Sequence, residues 1–89
     1  MSDESQSLLE FPCPFPLKII GLTTDALVQS VLEVVLRHAP DYDVATMETR
    51  SSTAGRYLSL TCTINATSRV QLDALYRELT SHPLVRMVL

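Results

Sequence analysis

Arg56–Thr67 reads RYLSLTCTINAT and alternates without a break. Leu58, Leu60, Cys62, Ile64 and Ala66 point one way; Tyr57, Ser59, Thr61, Thr63 and Asn65 point the other. A period of two over this length, rich in β-branched residues, predicts a strand with one face on a core and one face away from it. The rest of the chain can be arranged around that strand.

Upstream, Ser51–Gly55 has the composition of a hairpin loop, with Gly55 suited to positive φ. It joins the strand to VATMETRSS (Val44–Ser52), a weakly alternating stretch expected to be an edge strand. Asp41–Asp43 reads as a turn behind Pro40. Before Pro40 runs a helix, capped by Thr23 or Thr24 and ending near His38. Its stripe comprises Leu27, Val28, Val31, Leu32, Val34, Val35 and Leu36. Leu17–Gly21, LKIIG, is a short strand closed by a glycine. The prolines of FPCPFP at 12, 14 and 16 exclude helix and predict an extended, polyproline-like lead into that strand. Downstream, Ser68 and Gln71 have capping-box spacing. Leu72, Leu75, Tyr76 and Leu79 then repeat at helical intervals up to Pro83. LVRMVL (Leu84–Leu89) is a last strand.

Strand, helix, strand, strand, helix, strand is the split βαβ, ferredoxin-like order. The expected fold is therefore α+β: a four-stranded antiparallel sheet with both helices on one face. Strands one and three are central, and strands two and four are edges. Residues 1–10 are expected to form an acidic, mobile tail, with a single domain over 11–89.

The 89 residues suffice for one core. The net charge of −3 is local to the start, where Asp3, Glu4 and Glu10 precede any Lys or Arg; beyond them seven acids face seven bases. Without a basic excess, neither a nucleic-acid partner nor an acidic membrane partner is expected. No apolar run approaches the roughly 20 residues of a membrane span, and the acidic N-terminus is the reverse of a signal peptide. A cytoplasmic protein is expected. A bridge between Cys13 and Cys62 is unforced, and Cys62, on the apolar face of its strand, reads as a buried, inert thiol.

Four segments, EFPCPFPLKIIG, VVLRHAP, YLSLTCTINAT and VRMVL, occur in an order that resembles the small YbeD-like bacterial proteins, over Leu9–Leu89. The resemblance implies a ferredoxin-like fold similar to ACT regulatory domains, a cytoplasmic bacterial location and no established activity; for some members it carries an association with lipoate metabolism. ACT domains sense small ligands and pair through sheet edges. By that likeness Gly21, at the turn from strand one to helix one, is where a carboxylate-bearing metabolite would approach the backbone. The competing reading of Gly21 is a plain turn glycine.

Motifs for chemistry are sparse. His38 and His82 close the two helices with no Cys or carboxylate at ligand spacing, so no metal or other cofactor is expected. No nucleophile elbow or phosphate loop occurs, and an enzyme is not expected. An RRM-like RNA reader shares this topology, but Tyr57 alone is a poor stacking platform. Two features remain. Lys18 and Arg86, if both face the open side near Tyr57, form a small cationic patch able to hold a carboxylate. The last strand is apolar on both faces at an expected edge, with Arg86 its only charge. Either the Leu8–Phe15 lead covers that edge or another chain does, and Val88 is where an added charge would block such pairing. The resulting expectation is a regulatory or protein-interaction module, acting as a homodimer or on a protein partner through its sheet face or edge, with the small-ligand sensor as alternative.

Overall fold

The computed structural model describes residues 9–89. The elements are β1 (Cys13–Leu22), α1 (Asp25–His38), a 3-10 turn (Val44–Thr46), β2 (Glu48–Ser51), β3 (Tyr57–Ala66), α2 (Arg69–Thr80) and β4 (Val85–Val88). The sheet order is β2-β3-β1-β4, antiparallel throughout. This is the ferredoxin-like arrangement, with β1 and β3 central. The expected tail falls largely on residues 1–8, outside the described residues, while Leu9 and Phe11 pack against the core.

β3 behaves as the alternation of Arg56–Thr67 requires. Leu60, Cys62, Ile64 and Ala66 are buried; Tyr57, Thr63 and Asn65 are exposed. The core is completed by Leu17 and Ile19 of β1, Leu27, Val31, Val34 and Val35 of α1, and Leu72, Leu75 and Leu79 of α2. Both helices are capped locally. Thr24 Oγ1 accepts from Leu27 N at 3.0 Å, and Ser68 Oγ accepts from Gln71 N at 3.0 Å. Gln71 also ties the layer together: its Oε1 accepts from Thr67 N at 2.7 Å, and its Nε2 donates to the His38 carbonyl at 2.9 Å.

Three expectations are corrected. First, FPCPFP is not a polyproline lead. Its last four residues belong to β1, where Cys13–Pro16 pair with Thr63–Ala66 of β3. The prolines are tolerated because of parity. Lys18 exchanges both backbone hydrogen bonds with Leu89, on the β4 side (3.2 and 2.8 Å). Pro14 and Pro16 share its parity, so their nitrogens face away from β3 and no ladder bond is lost. Second, the described part of the lead pairs with β3 and does not cover the edge of β4, which is the outermost strand on its side among the described residues. Third, β2 is shorter than Val44–Ser52. Asp43 Oδ1 accepts from Ala45 N at 3.0 Å and Thr46 Oγ1 donates to the Asp43 carbonyl at 2.6 Å. These local bonds wind Val44–Thr46 into a 3-10 turn that competes with the ladder.

The turn before it hides a core residue. Tyr42, between two aspartates, is only 7% exposed. Its hydroxyl lies beside Thr46 and Cys62 but has no hydrogen-bond partner among the described residues. Burial pushes the phenol up to about 12 and raises the Cys62 thiol.

Candidate functional site: the open face of the sheet

With both helices on one side, no other element among the described residues covers the second face of the sheet, and register places its side chains in rows. Glu48, Thr61 and Lys18 lie in one row across β2, β3 and β1, continued by Leu89 just past the end of β4. Arg50, Ser59, Ile20 and Met87 lie in the next, and Tyr57 and Leu22 in a third. The rows are polar toward β2 and apolar toward β4.

Two shallow grooves follow this gradient. One, of about 250 Å3, is lined by Lys18, Glu48, Thr49, Arg50, Ser59 and Thr61. The other, of about 180 Å3, is lined by Ile20, Arg50, Ser51, Ser52, Tyr57, Leu58 and Ser59. They share Arg50 and Ser59 and so form one trough. At its polar end Lys18 and Arg50, from strands on either side of β3, line the groove together with Ser59, Thr61 and the single acid Glu48; two cations against one carboxylate leave a net positive charge that suits a carboxylate ligand. Toward β4 the face offers apolar surface: Met87 is 51% exposed and Leu89 60%.

The residues singled out from the sequence are distributed as follows. Lys18 and Tyr57 lie on the open face, but in rows separated by the Ser59–Ile20 row. Arg86 is exposed on β4, where a register irregularity between Ile20 and Gly21 leaves it without a cross-strand partner. Lys18 thus shares its groove with Arg50, not Arg86. Val88 pairs with Ile19 and packs on the core side, so it is an edge residue only through its backbone. Gly21 is buried, and neither groove includes it. A Cβ there would collide with the Leu84 carbonyl and sit 2.7 Å from Leu27 Cδ1. The close approach at Gly21 is made by the protein's own chain.

Glu48 and Arg50 were not legible as site residues. Their alternation is visible, but four polar residues at an edge look alike until pairing with β3 sets which face each occupies.

The helical side carries the ion pairs. Glu78 bridges Arg37 and His38, its Oε1 lying 2.7 Å from His38 Nε2, and Arg69 meets Asp73 at 3.9 Å. Along the outer flank of α1, Val28, Leu32 and Leu36 line an apolar groove of about 590 Å3 rimmed by Asp25, Gln29 and Glu33. Among the described residues no helix is long and apolar enough to cross a membrane.

Comparison with known proteins agrees with this architecture. Protein HP0495 from H. pylori, known from a solution structure, superposes with a TM-score of 0.69 over 91% of this chain and 85% of its own; at 14% identity the likeness is one of fold. UPF0250 protein NE1487 of Nitrosomonas europaea is 57% identical over 84 residues, 94% of this chain and 97% of that protein. A UPF0250 protein of Chromobacterium violaceum is 54% identical over 89 residues, the full length of both. The family described as "Protein of unknown function (DUF493)" matches residues 6–89. The chain belongs to that family, the YbeD-like small bacterial proteins.

Proposed function

We propose that the protein is a non-enzymatic regulatory or interaction module that works through the open face of its sheet. The observation that carries this reading is the apolar strip of Ile20, Met87 and Leu89, its last two members mostly exposed, set beside a groove of charged and hydroxyl side chains. An apolar patch rimmed by polar groups is the usual form of a docking surface. Cys62 supports a non-catalytic reading, because burial raises its thiol and keeps the thiolate unavailable. Homodimerisation through an edge belongs to the same reading, since β2 is exposed along its whole length and, among the described residues, both β2 and β4 have a free side.

The test is affinity capture from the cell that makes the protein, comparing wild type with Met87→Ser/Leu89→Ser. Both side chains are mostly exposed, so the variant folds, and circular dichroism checks that it does. Partners captured by wild type are lost from the variant; retention of every partner rules out the face. Light scattering over a concentration series tests the edge dimer, and a strict monomer removes it.

A second reading is favoured by the polar end of the trough. Lys18 and Arg50 above Ser59 and Thr61 suit a carboxylate-bearing metabolite, which moves the sensor site from Gly21 to the sheet face. A thermal-shift screen of small carboxylates tests it; hits that survive Lys18→Met place the ligand elsewhere.

A further inference from the structure

Charge is segregated between the two sides of this fold. Each ion pair found among the described residues joins helical side chains, Arg37 with Glu78 and Arg69 with Asp73. On the sheet side, Lys18 and Arg50 occupy the open face with Glu48 the only acid in their rows, and Arg86 adds a third exposed cation on β4. A protein of net charge −3 therefore presents an uncovered face with a local positive excess around an apolar strip.

That combination selects among occupants. Two copies stacked face to face would set these cations against each other, and like-charge juxtaposition is strongly unfavourable at an interface. The chain does carry a complementary surface, the acid-rimmed apolar groove of α1. Seating that groove on the sheet face of a second copy is a heterologous contact, and such contacts form open-ended stacks unless the rotation happens to close. RNA would use the cations but not the apolar strip, and the face offers a single aromatic for stacking.

We propose that the open sheet face docks an acidic, amphipathic helix of another protein: its carboxylates meet Lys18 and Arg50, and its apolar stripe covers Ile20, Met87 and Leu89. This rests on the reading of the sheet face as the docking surface and adds the chemistry of the partner. The apolar strip supplies affinity by burial, and the cations supply orientation and encounter rate.

The probes are a 14-residue amphipathic helical peptide of Glu and Leu and its counterpart with every Glu replaced by Lys, titrated against the full chain by NMR at low salt. The Glu/Leu peptide shifts the amides of Lys18, Ile20, Arg50, Ser59 and Met87, and binds at least about tenfold more tightly than the Lys/Leu peptide, the scale expected of two exposed charge pairs. The variant Lys18→Glu/Arg50→Glu inverts that preference, which a merely damaged fold would not do. Equal binding of both peptides, shifts confined to the helices, tighter binding of a single-stranded RNA, or concentration-dependent shifts of the face with no peptide present would each overturn the proposal. The two levels fail separately. If capture from the native cell is lost in Met87→Ser/Leu89→Ser but unchanged in Lys18→Glu/Arg50→Glu, the face docks a partner that is not acidic. If neither variant loses it, the face itself is wrong.

Discussion

Replacing Gly21 by alanine isolates the tightest point of the fold. Gly21 sits in β1 opposite Val85, at ordinary extended φ, since Gly55 alone has positive φ. Conformation therefore does not demand glycine, and alanine in its place would stabilise by about 0.4–1 kcal/mol through the unfolded chain. Space does demand it. The new methyl meets the Leu84 carbonyl and lies 2.7 and 3.1 Å from the two Leu27 methyl carbons. Leu27 is fully buried and the Leu84 oxygen is backbone, so neither yields cheaply. Overpacking of this kind costs about 1–3 kcal/mol. The net expectation is a loss of roughly 1–2 kcal/mol, and for a domain of this size that lowers the melting temperature by roughly 4–15 °C. Urea unfolding followed by circular dichroism gives the free energy directly, with an unchanged m-value showing that the denatured state is not what moved. Gly55→Ala is the internal control. That residue has φ +75° with nothing within 4 Å of an added Cβ, so its cost of about 1–2 kcal/mol is purely conformational. Gly55→Asn recovers part of that cost, whereas Gly21→Asn is worse than Gly21→Ala. A Gly21→Ala protein as stable as wild type refutes the packing argument and returns Gly21 to the ligand-approach role.

Three other outcomes follow from particular contacts. Tyr42→Phe removes a buried hydroxyl without a hydrogen-bond partner, so stability at neutral pH is unchanged or rises by up to about 1 kcal/mol in chemical denaturation. The same substitution flattens the alkaline limb. The folded phenol, at about 12, lies above its ordinary value of 10.0, so its contribution is complete below pH 10 and is lost as pH rises toward 12; urea midpoints of wild type and variant measured across that window diverge if the tyrosine is responsible. On β4, Met87→Lys changes stability by no more than about 0.5 kcal/mol, because the side chain is half exposed. Val88→Lys costs about 2 kcal/mol or more, because Val88 packs toward the core; similar melting temperatures for the pair would mean that the faces of β4 are misassigned. Ser68→Ala removes the acceptor for Gln71 N and costs about 1 kcal/mol by thermal denaturation, with the loss of helix content concentrated in α2.

Local patterns in the chain determined the order and type of the elements. The alternation of Arg56–Thr67, the Thr24 and Ser68 caps, the helical spacing of Leu72, Leu75 and Leu79, and the stops before Pro40 and Pro83 are short-range signals, and short-range physics decides them. They sufficed for the ferredoxin-like order, and hence for an uncovered sheet face. Tertiary structure decided what the chain could not show by itself. Pro14 and Pro16 look like strand breakers, and only the side on which β3 lies makes their missing N–H groups harmless. Tyr42 looks like a turn residue between two acids, and only packing buries it. Glu48 and Arg50 become neighbours of Lys18 through the register of β3 with both β2 and β1, a relation between strands far apart in sequence. Val88 looks like an edge to be charged, yet its pairing with Ile19 turns the side chain inward. In each case periodicity gives a residue two faces, and the partner strand or helix chooses which face meets the core, which meets water, and which is left to receive another molecule.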